Sequence, residues 1–510
     1  MSQSTAPHHD AYHDAHHDAT AVEHVDVLIV GAGISGVGAA YHLTTQRPGT
    51  SFVVLEALDD FGGTWHTHKY PGIRSDSDLY TFGYRFKPWT GPPIATAEQI
   101  LSYMGEVIDE NDLGRHIRYR HQITNASWSS AENLWTLDVT RTLDDGSTEQ
   151  LRFTTNFLWM CQGYYRHAQG YTPEWPGTET FTGRIVHPQQ WPDDLDYTGK
   201  RVIVIGSGAT AATLIPAIAD ACEHVTMLQR SPTYFWTARN ANELADTLRE
   251  LEVDETWIHE IVRRKVLHDQ RAITELSFTQ PEFLREELLK GVREHLGDDF
   301  DIDTHFSPSY RPWQQRIAFI PDGDLFAGIK SGKASVVTDE IDTFTETGIR
   351  TKSGEELTAD IIITATGFDL SVLGDIAFCV DGEPLQFHDT VTYRGMMFTG
   401  VPNLVWVFGY FRASWTLRAD LIGDFVCRLL AHMDEKGAAR VTPELRPEDA
   451  DMPLLPWVDP ENFNPNYMMR SMHLLPKRGD KPEWQHSQDY WAEKDIIPAA
   501  DLDDGCLRYD

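Results

Sequence analysis

Two segments of this 510-residue chain share a pattern that few folds accept: a short apolar strand, a glycine-rich turn and a helix. The first reads VDVLIVGAGISGVGAAYHL from Val25, the second KRVIVIGSGATAATLIPAI from Lys200. A dinucleotide-binding turn needs a tight reversal after the strand, a backbone bare enough to touch pyrophosphate, and a helix whose N-terminal dipole faces that charge. Gly31, Gly33 and Gly36 meet these needs in the first unit. Gly206, Gly208 and Ala211 repeat them in the second, with Thr210 beside them. The doubled pattern predicts an α/β fold with two Rossmann-like dinucleotide-binding domains. Length agrees, because one core rarely serves more than about 250–300 residues.

The residues that follow each unit separate the two nucleotides. Glu56 ends the strand FVVLE, where a carboxylate can accept hydrogen bonds from a ribose 2′-hydroxyl. That suits the adenosine of FAD. In the second unit the strand HVTMLQ runs into Arg230. A carboxylate there would repel a 2′-phosphate, whereas a guanidinium can grip it with two hydrogen bonds, so the second site is expected to take NADPH. Two such sites imply electron traffic, which leaves a disulfide reductase, an electron-transfer reductase or a monooxygenase. The first is excluded, because the segment from Ala57 to Trp89 holds no cysteine.

Composition narrows the partners. Lys and Arg number 43 against 77 Asp and Glu, a formal charge of −34, which repels nucleic-acid phosphate and anionic lipid alike. A small-molecule substrate fits better. No apolar run reaches the roughly 18 residues of a membrane span, so no integral membrane segment is expected and cytoplasmic residence follows. Cys161, Cys222, Cys379, Cys427 and Cys506 are scattered and form no CxxC pair, so neither a metal site nor redox exchange is expected. Residues 1–24 alternate His and Asp with almost nothing to bury and are expected to be a disordered leader. The first domain is expected over 25–160, and the second over 161–325. Within the second, about 240–311 reads as a helical insertion, because ELADTLRELEVDETWIHEIVRRKVLHD spaces its apolar residues by three and four. Residues 326–510 are expected to return to the first domain and end in a Pro-, Trp- and Asn-rich tail wrapping the surface.

Between the two units FTGRIVHPQQWP, Phe181 to Pro192, resembles the FxGxxxHxxxW(P/D) fingerprint of type I Baeyer–Villiger monooxygenases at every fixed position. Gly62, Gly63, Trp65, Tyr70, Pro71, Gly72 and Asp76 complete that family's second signature, (A/G)GxWxxxx(F/Y)P(G/M)xxxD. The segment ADIIITATGFD, Ala359 to Asp369, resembles the strand that returns to the flavin domain in the wider superfamily. GGTWHTHKYPGIRSDSDLYTFGYRF, RPWQQRIAFIPDGDLF, GYFRASWTLRAD and NYMMRSMHLLPKRG look closer still to the ethionamide-activating monooxygenase subgroup.

The resemblance implies an FAD enzyme, reduced by NADPH, whose C4a-peroxyflavin inserts one atom of O2 into a ketone to give an ester or lactone, and which also oxidises soft sulfur. Such an anion needs a fixed cation that cannot give up a proton, and arginine alone has that property. By resemblance to the subgroup that residue is Arg316, with Arg311 as its competitor, and by motif match Asp76 supports it. Trp65 and Asp76 are placed beside the flavin. His187 is expected to set domain orientation, and Trp415 is a candidate for the substrate pocket. Two other readings stand beside this one. A flavin monooxygenase acting on sulfur or nitrogen would lack the full tryptophan-terminated fingerprint, and a non-oxygenating FAD-binding NADPH oxidase or reductase would leave the Asp76 signature without purpose.

Overall fold

Residues 22–510 are described by a computed structural model; the His/Asp stretch up to residue 21 lies outside the described residues. The two apolar strands are each at the centre of a sheet, because runs such as VLIV and VIVI offer nothing that tolerates water on either face. Glu23–Val30 lies between the parallel strands Phe52–Leu55 and Thr148–Met160. Among the described residues this sheet has nine strands, including the antiparallel ribbon His121–Ser129 and Leu134–Thr142. Arg201–Ile205 lies between the parallel strands His224–Gln229 and Ile361–Thr364 in a second, five-stranded sheet. Helices Ile34–Gln46 and Ala209–Ala219 follow the two glycine turns. The molecule is thus an α/β protein built on two large sheets, with a doubled nucleotide-binding architecture.

The sheets correct two expectations. Ala334–Thr338 pairs with His224–Gln229, and Ile361–Thr364 pairs with both Arg201–Ile205 and Arg184–Val186. The second unit therefore runs to about residue 364 and not to 325. For the same reason ADIIITATGFD does not supply a strand of the first sheet, which the chain rejoins only at Ala377–Val380. A four-residue isoleucine-rich run can be buried in either sheet, and its pairing register is a tertiary fact.

Between the second unit's strands lie helices Glu243–Glu250, Glu255–Thr279, Pro281–Leu296 and Ile302–His305. The long one docks on the first unit. Its buried Arg263 donates to the carbonyls of Tyr80, Thr81 and Gly83, and His259 accepts from the Trp89 backbone at 3.1 Å. The C-terminal tail is more than a surface strap. Trp484 packs into the core that holds Val27 and Ile29, while Trp457 and Phe463 pack into the one that holds Leu28 and Val30. Burying three large rings removes enough apolar surface to make the tail a structural part of the first domain.

Candidate active site

The two glycine turns are built alike. Gly31 and Gly206 have positive φ, 95° and 123°, and each donates its N–H at 2.8 Å to the end of the neighbouring strand, Gly31 to Leu55 and Gly206 to Leu228. Gly33 and Gly208 then cap the two helices. A side chain on Gly36 would put its Cβ 1.8 Å from the Gly31 carbonyl oxygen, so this helix lies hard against the turn it follows. Ala211 stands at that place in the second unit and is fully buried, so the second helix leaves room for a methyl. Thr210, half-buried beside it, lies near Tyr70, whose hydroxyl burial pushes up to about 12.

Glu56 is buried, and its two oxygens are already oriented by the backbone. Ala32 N–H donates to Oε2 at 2.7 Å and Leu58 N–H to Oε1 at 2.9 Å. A carboxylate oxygen accepts more than one bond, so Glu56 joins the turn to whatever hydroxyl lies beyond it. A second glycine pair, Gly62 and Gly63, has φ of 119° and 54°, and a Cβ on Gly63 would lie 3.2 Å from Gly33 Cα. The bare backbones of Gly33 and Gly63 thus face each other across the turn, and Trp65 follows, edge-on to Phe82 at 5.8 Å. This bare cradle fits the pyrophosphate of FAD, which needs close backbone approach. Arg230 directly follows the strand His224–Gln229 and is exposed.

The segment from Gly62 to Asp76 crosses from one unit to the other. A Cβ on Gly72 would strike Ala217 and the Thr213 carbonyl of the second unit's helix, at 2.6 and 3.0 Å. Arg74 forks onto Asp324 with bonds of 2.5 and 3.2 Å. Asp76 then meets Arg316 at 3.7 Å, each side chain about 34% exposed. Asp78, two residues on, is a different device: it caps the helix Leu79–Phe82, and burial pushes its carboxyl up to about 7.

The two arginines of the 311–316 turn are in unlike situations. Arg311 donates to the carbonyls of Ser277, Pro312 and Asn462 and to the Ser277 hydroxyl. Arg316, among the described residues, commits no donor to a hydrogen bond and has only the Asp76 ion pair. Burial works against its charge, but the oxygens of Tyr467, Tyr164, Asp76 and Tyr165 lie near enough to favour the charged form. Those three tyrosines are residues that sequence reasoning missed. Tyr164 and Tyr165 share a hydroxyl bond of 2.6 Å, and Tyr164 stacks on Trp415 at 5.2 Å. Trp415 in turn donates to Ser35 at 2.7 Å, which places it at the start of the first nucleotide helix. The double Tyr after Gly163 was visible in the sequence, but nothing there linked it to Tyr467.

His187 accepts the Gln189 N–H at Nδ1, so Nε2 carries the proton and donates to the Gly367 carbonyl at 3.2 Å. Burial lowers its proton affinity. Its ring also fills the space over Gly170, where a Cβ would come within 2.0 Å. It therefore sits between the two chain crossings that join the units, remote from Arg316 in its bonding.

The family model for flavin-binding monooxygenase-like proteins matches residues 24–244. The FAD-containing monooxygenase EthA of Mycolicibacterium smegmatis is 46% identical over 489 residues, 96% of this chain and 97% of that protein. The chain belongs to the FAD-containing, flavin-binding monooxygenases. A probable FAD-binding monooxygenase, AlmA of Acinetobacter baylyi, is 41% identical over 96% of both chains. Among solved structures, an oxidised steroid monooxygenase bound to NADP matches this monooxygenase with a TM-score of 0.75 at 24% identity, over 95% of this chain and 99% of that one. Cyclohexanone monooxygenase bound to ε-caprolactone gives 0.69 at 21% identity over 84% and 91%. These structures share the fold of the monooxygenase described here, two dinucleotide-binding domains included. Among the described residues no helix is long and apolar enough to cross a membrane, and no cluster of His, Cys, Asp and Glu could hold a metal.

Proposed function

We propose that this monooxygenase catalyses Baeyer–Villiger oxidation of a small ketone with FAD and NADPH, and oxidises soft sulfur at the same site. The observation that carries the reading is the Asp76–Arg316 pair: a partly exposed guanidinium that, among the described residues, commits no donor to a hydrogen bond and faces the end of the segment crossing from one unit to the other. Gly31, Gly33, Gly36, Glu56 and Trp65 would hold FAD, which when bound would pass the electrons of NADPH to dioxygen. The protein's own part is to keep a permanent positive charge where negative charge develops, and to exclude water with Tyr164, Tyr165, Tyr467 and Trp415. His187 acts as a linker that fixes the units relative to each other, because both of its ring nitrogens are bonded to backbone and neither is free to move a proton. The substrate is expected to be uncharged, since the aromatic wall offers phenol hydroxyls and no counter-ion beyond Arg316. Purified enzyme with NADPH and a panel of linear, cyclic and aryl ketones should give esters or lactones identified by mass spectrometry. If every ketone and sulfide yields only hydrogen peroxide, the enzyme is an oxidase and the reading fails.

Arg230 is assigned to the 2′-phosphate of NADPH on the strength of its place after the strand His224–Gln229, which matches that of Glu56 in the first unit. Arg230→Ala should raise KM for NADPH about tenfold to a hundredfold, equal to roughly 1.4–2.8 kcal/mol, and leave NADH little changed. Equal losses for the two nucleotides would remove the assignment.

A further inference from the structure

Arg311 and Arg412 form no ion pair among the described residues. Their donors go to backbone carbonyls. Arg311 reaches Ser277 at 3.0 Å and Asn462 at 3.2 Å. Arg412 reaches Trp313 at 3.2 Å and also Asn462. Both guanidiniums approach the Phe278 ring, with Cζ 4.2 and 5.1 Å from its centroid. Gln314 completes the node: its side chain donates to Glu461 at 3.1 Å, and its carbonyl accepts the Asn464 N–H at 2.8 Å.

Four parts of the chain meet here. They are the end of the long insertion helix, the turn 311–316, the residue just ahead of helix Trp415–Lys436, and the tail segment 459–464. The chemistry of the node is selective. An acid partner would bond the guanidiniums as well as carbonyls do, but it would cancel their charge a few residues from Arg316. Carbonyl acceptors hold both cations without a direct ion pair, although Asp459 of the docked segment lies near enough to favour the charge of Arg412. Burial and the neighbouring Arg311 charge draw Arg412 down to about 10, which still leaves it charged at neutral pH.

We propose that Arg311 and Arg412 are positioning residues for Arg316: they fasten the tail segment 459–464 onto the turn 311–316, and Arg316 faces Asp76 only while that tail is docked. The consequence for activity rests on the oxygenase reading above; the docking itself does not. The tail thereby becomes part of the oxygenation site without touching substrate, and its release turns productive turnover into wasted NADPH.

The test uses FAD-loaded full-length enzyme carrying Arg412→Gln, or Gln314→Ala, the milder change should the first fold poorly. Amide hydrogen exchange in 459–464, above all at Asn464, should accelerate about tenfold or more, the effect of losing a charge-assisted or paired hydrogen bond from a docked segment. Flavin content and the rate of flavin reduction by NADPH should stay near wild type, while product per NADPH falls threefold or more, a split that general destabilisation does not give. Unchanged exchange in both variants overturns the latch. Faster exchange with undiminished product per NADPH overturns its role in positioning Arg316. If the wild type makes no oxygenated product at all, the oxygenase reading has failed, and exchange across 311–317 decides the latch alone: acceleration there supports it, and protection equal to wild type overturns it.

Discussion

Arg316→Ala should bind FAD, accept hydride from NADPH and yet form almost no ester. Neither binding nor hydride transfer requires a peroxide to survive, so both should be retained. Oxygen transfer does place charge there. Removing one preorganised charge donor from a shielded site costs about a hundredfold to a thousandfold in rate, roughly 2.7–4 kcal/mol. NADPH consumption should continue, with hydrogen peroxide in place of product, so that coupling collapses while oxidase activity stays. Asp76→Ala should uncouple only partly, because at 3.7 Å and about one-third exposure the carboxylate orients the guanidinium and does not supply its charge. Arg316→Lys should rescue little, since an ammonium on a flexible stem cannot reproduce the fixed placement and the several donors of a planar guanidinium. The competing assignment makes the opposite forecast. If Arg311 were the charge donor, Arg311→Ala would abolish ester formation with the tail still docked, and Arg316→Ala would keep normal product per NADPH.

That competition shows where the sequence stopped informing. The glycine turns were legible because nucleotide chemistry demands particular residue types at fixed spacings, such as Gly31, Gly33, Gly36 and Glu56. Two arginines five positions apart in one turn are equivalent on paper. They differ only in what surrounds them: carbonyls of Ser277 and Asn462 for one, Asp76 and three phenols for the other. The strand Ile361–Thr364 failed for a related reason. Its apolar run says that it is buried, and its partners Arg201–Ile205 and Arg184–Val186 are chosen by packing between segments far apart in the chain. The tail hid its role because Trp457, Phe463 and Trp484 follow no period, and single large rings between prolines read as surface until the cores they fill are known.

Gly36→Ala should produce protein nearly free of FAD. Its new methyl would lie 1.8 Å from the Gly31 carbonyl oxygen and 2.9 Å from the Gly31 carbonyl carbon, and both are backbone, so no rotamer change relieves the overlap. The helix Ile34–Gln46 or the turn itself has to shift by more than an ångström, and either movement withdraws the N–H groups that face pyrophosphate. Overpacking of a tight site commonly costs 1–3 kcal/mol, so at the upper end FAD binding weakens by about a hundredfold or more. Flavin absorbance per polypeptide measures this directly, and titration of the apoprotein with FAD gives the affinity. The second unit supplies the control, because it already carries Ala211 at that place. Ala211→Gly should leave flavin content unchanged and lower thermal stability by only about 1 kcal/mol, the intrinsic difference between the two residues in a helix. Gly36→Ala protein with a full complement of flavin would mean that the first helix can retreat as the second has done, and that close approach at Gly36 is not what holds FAD.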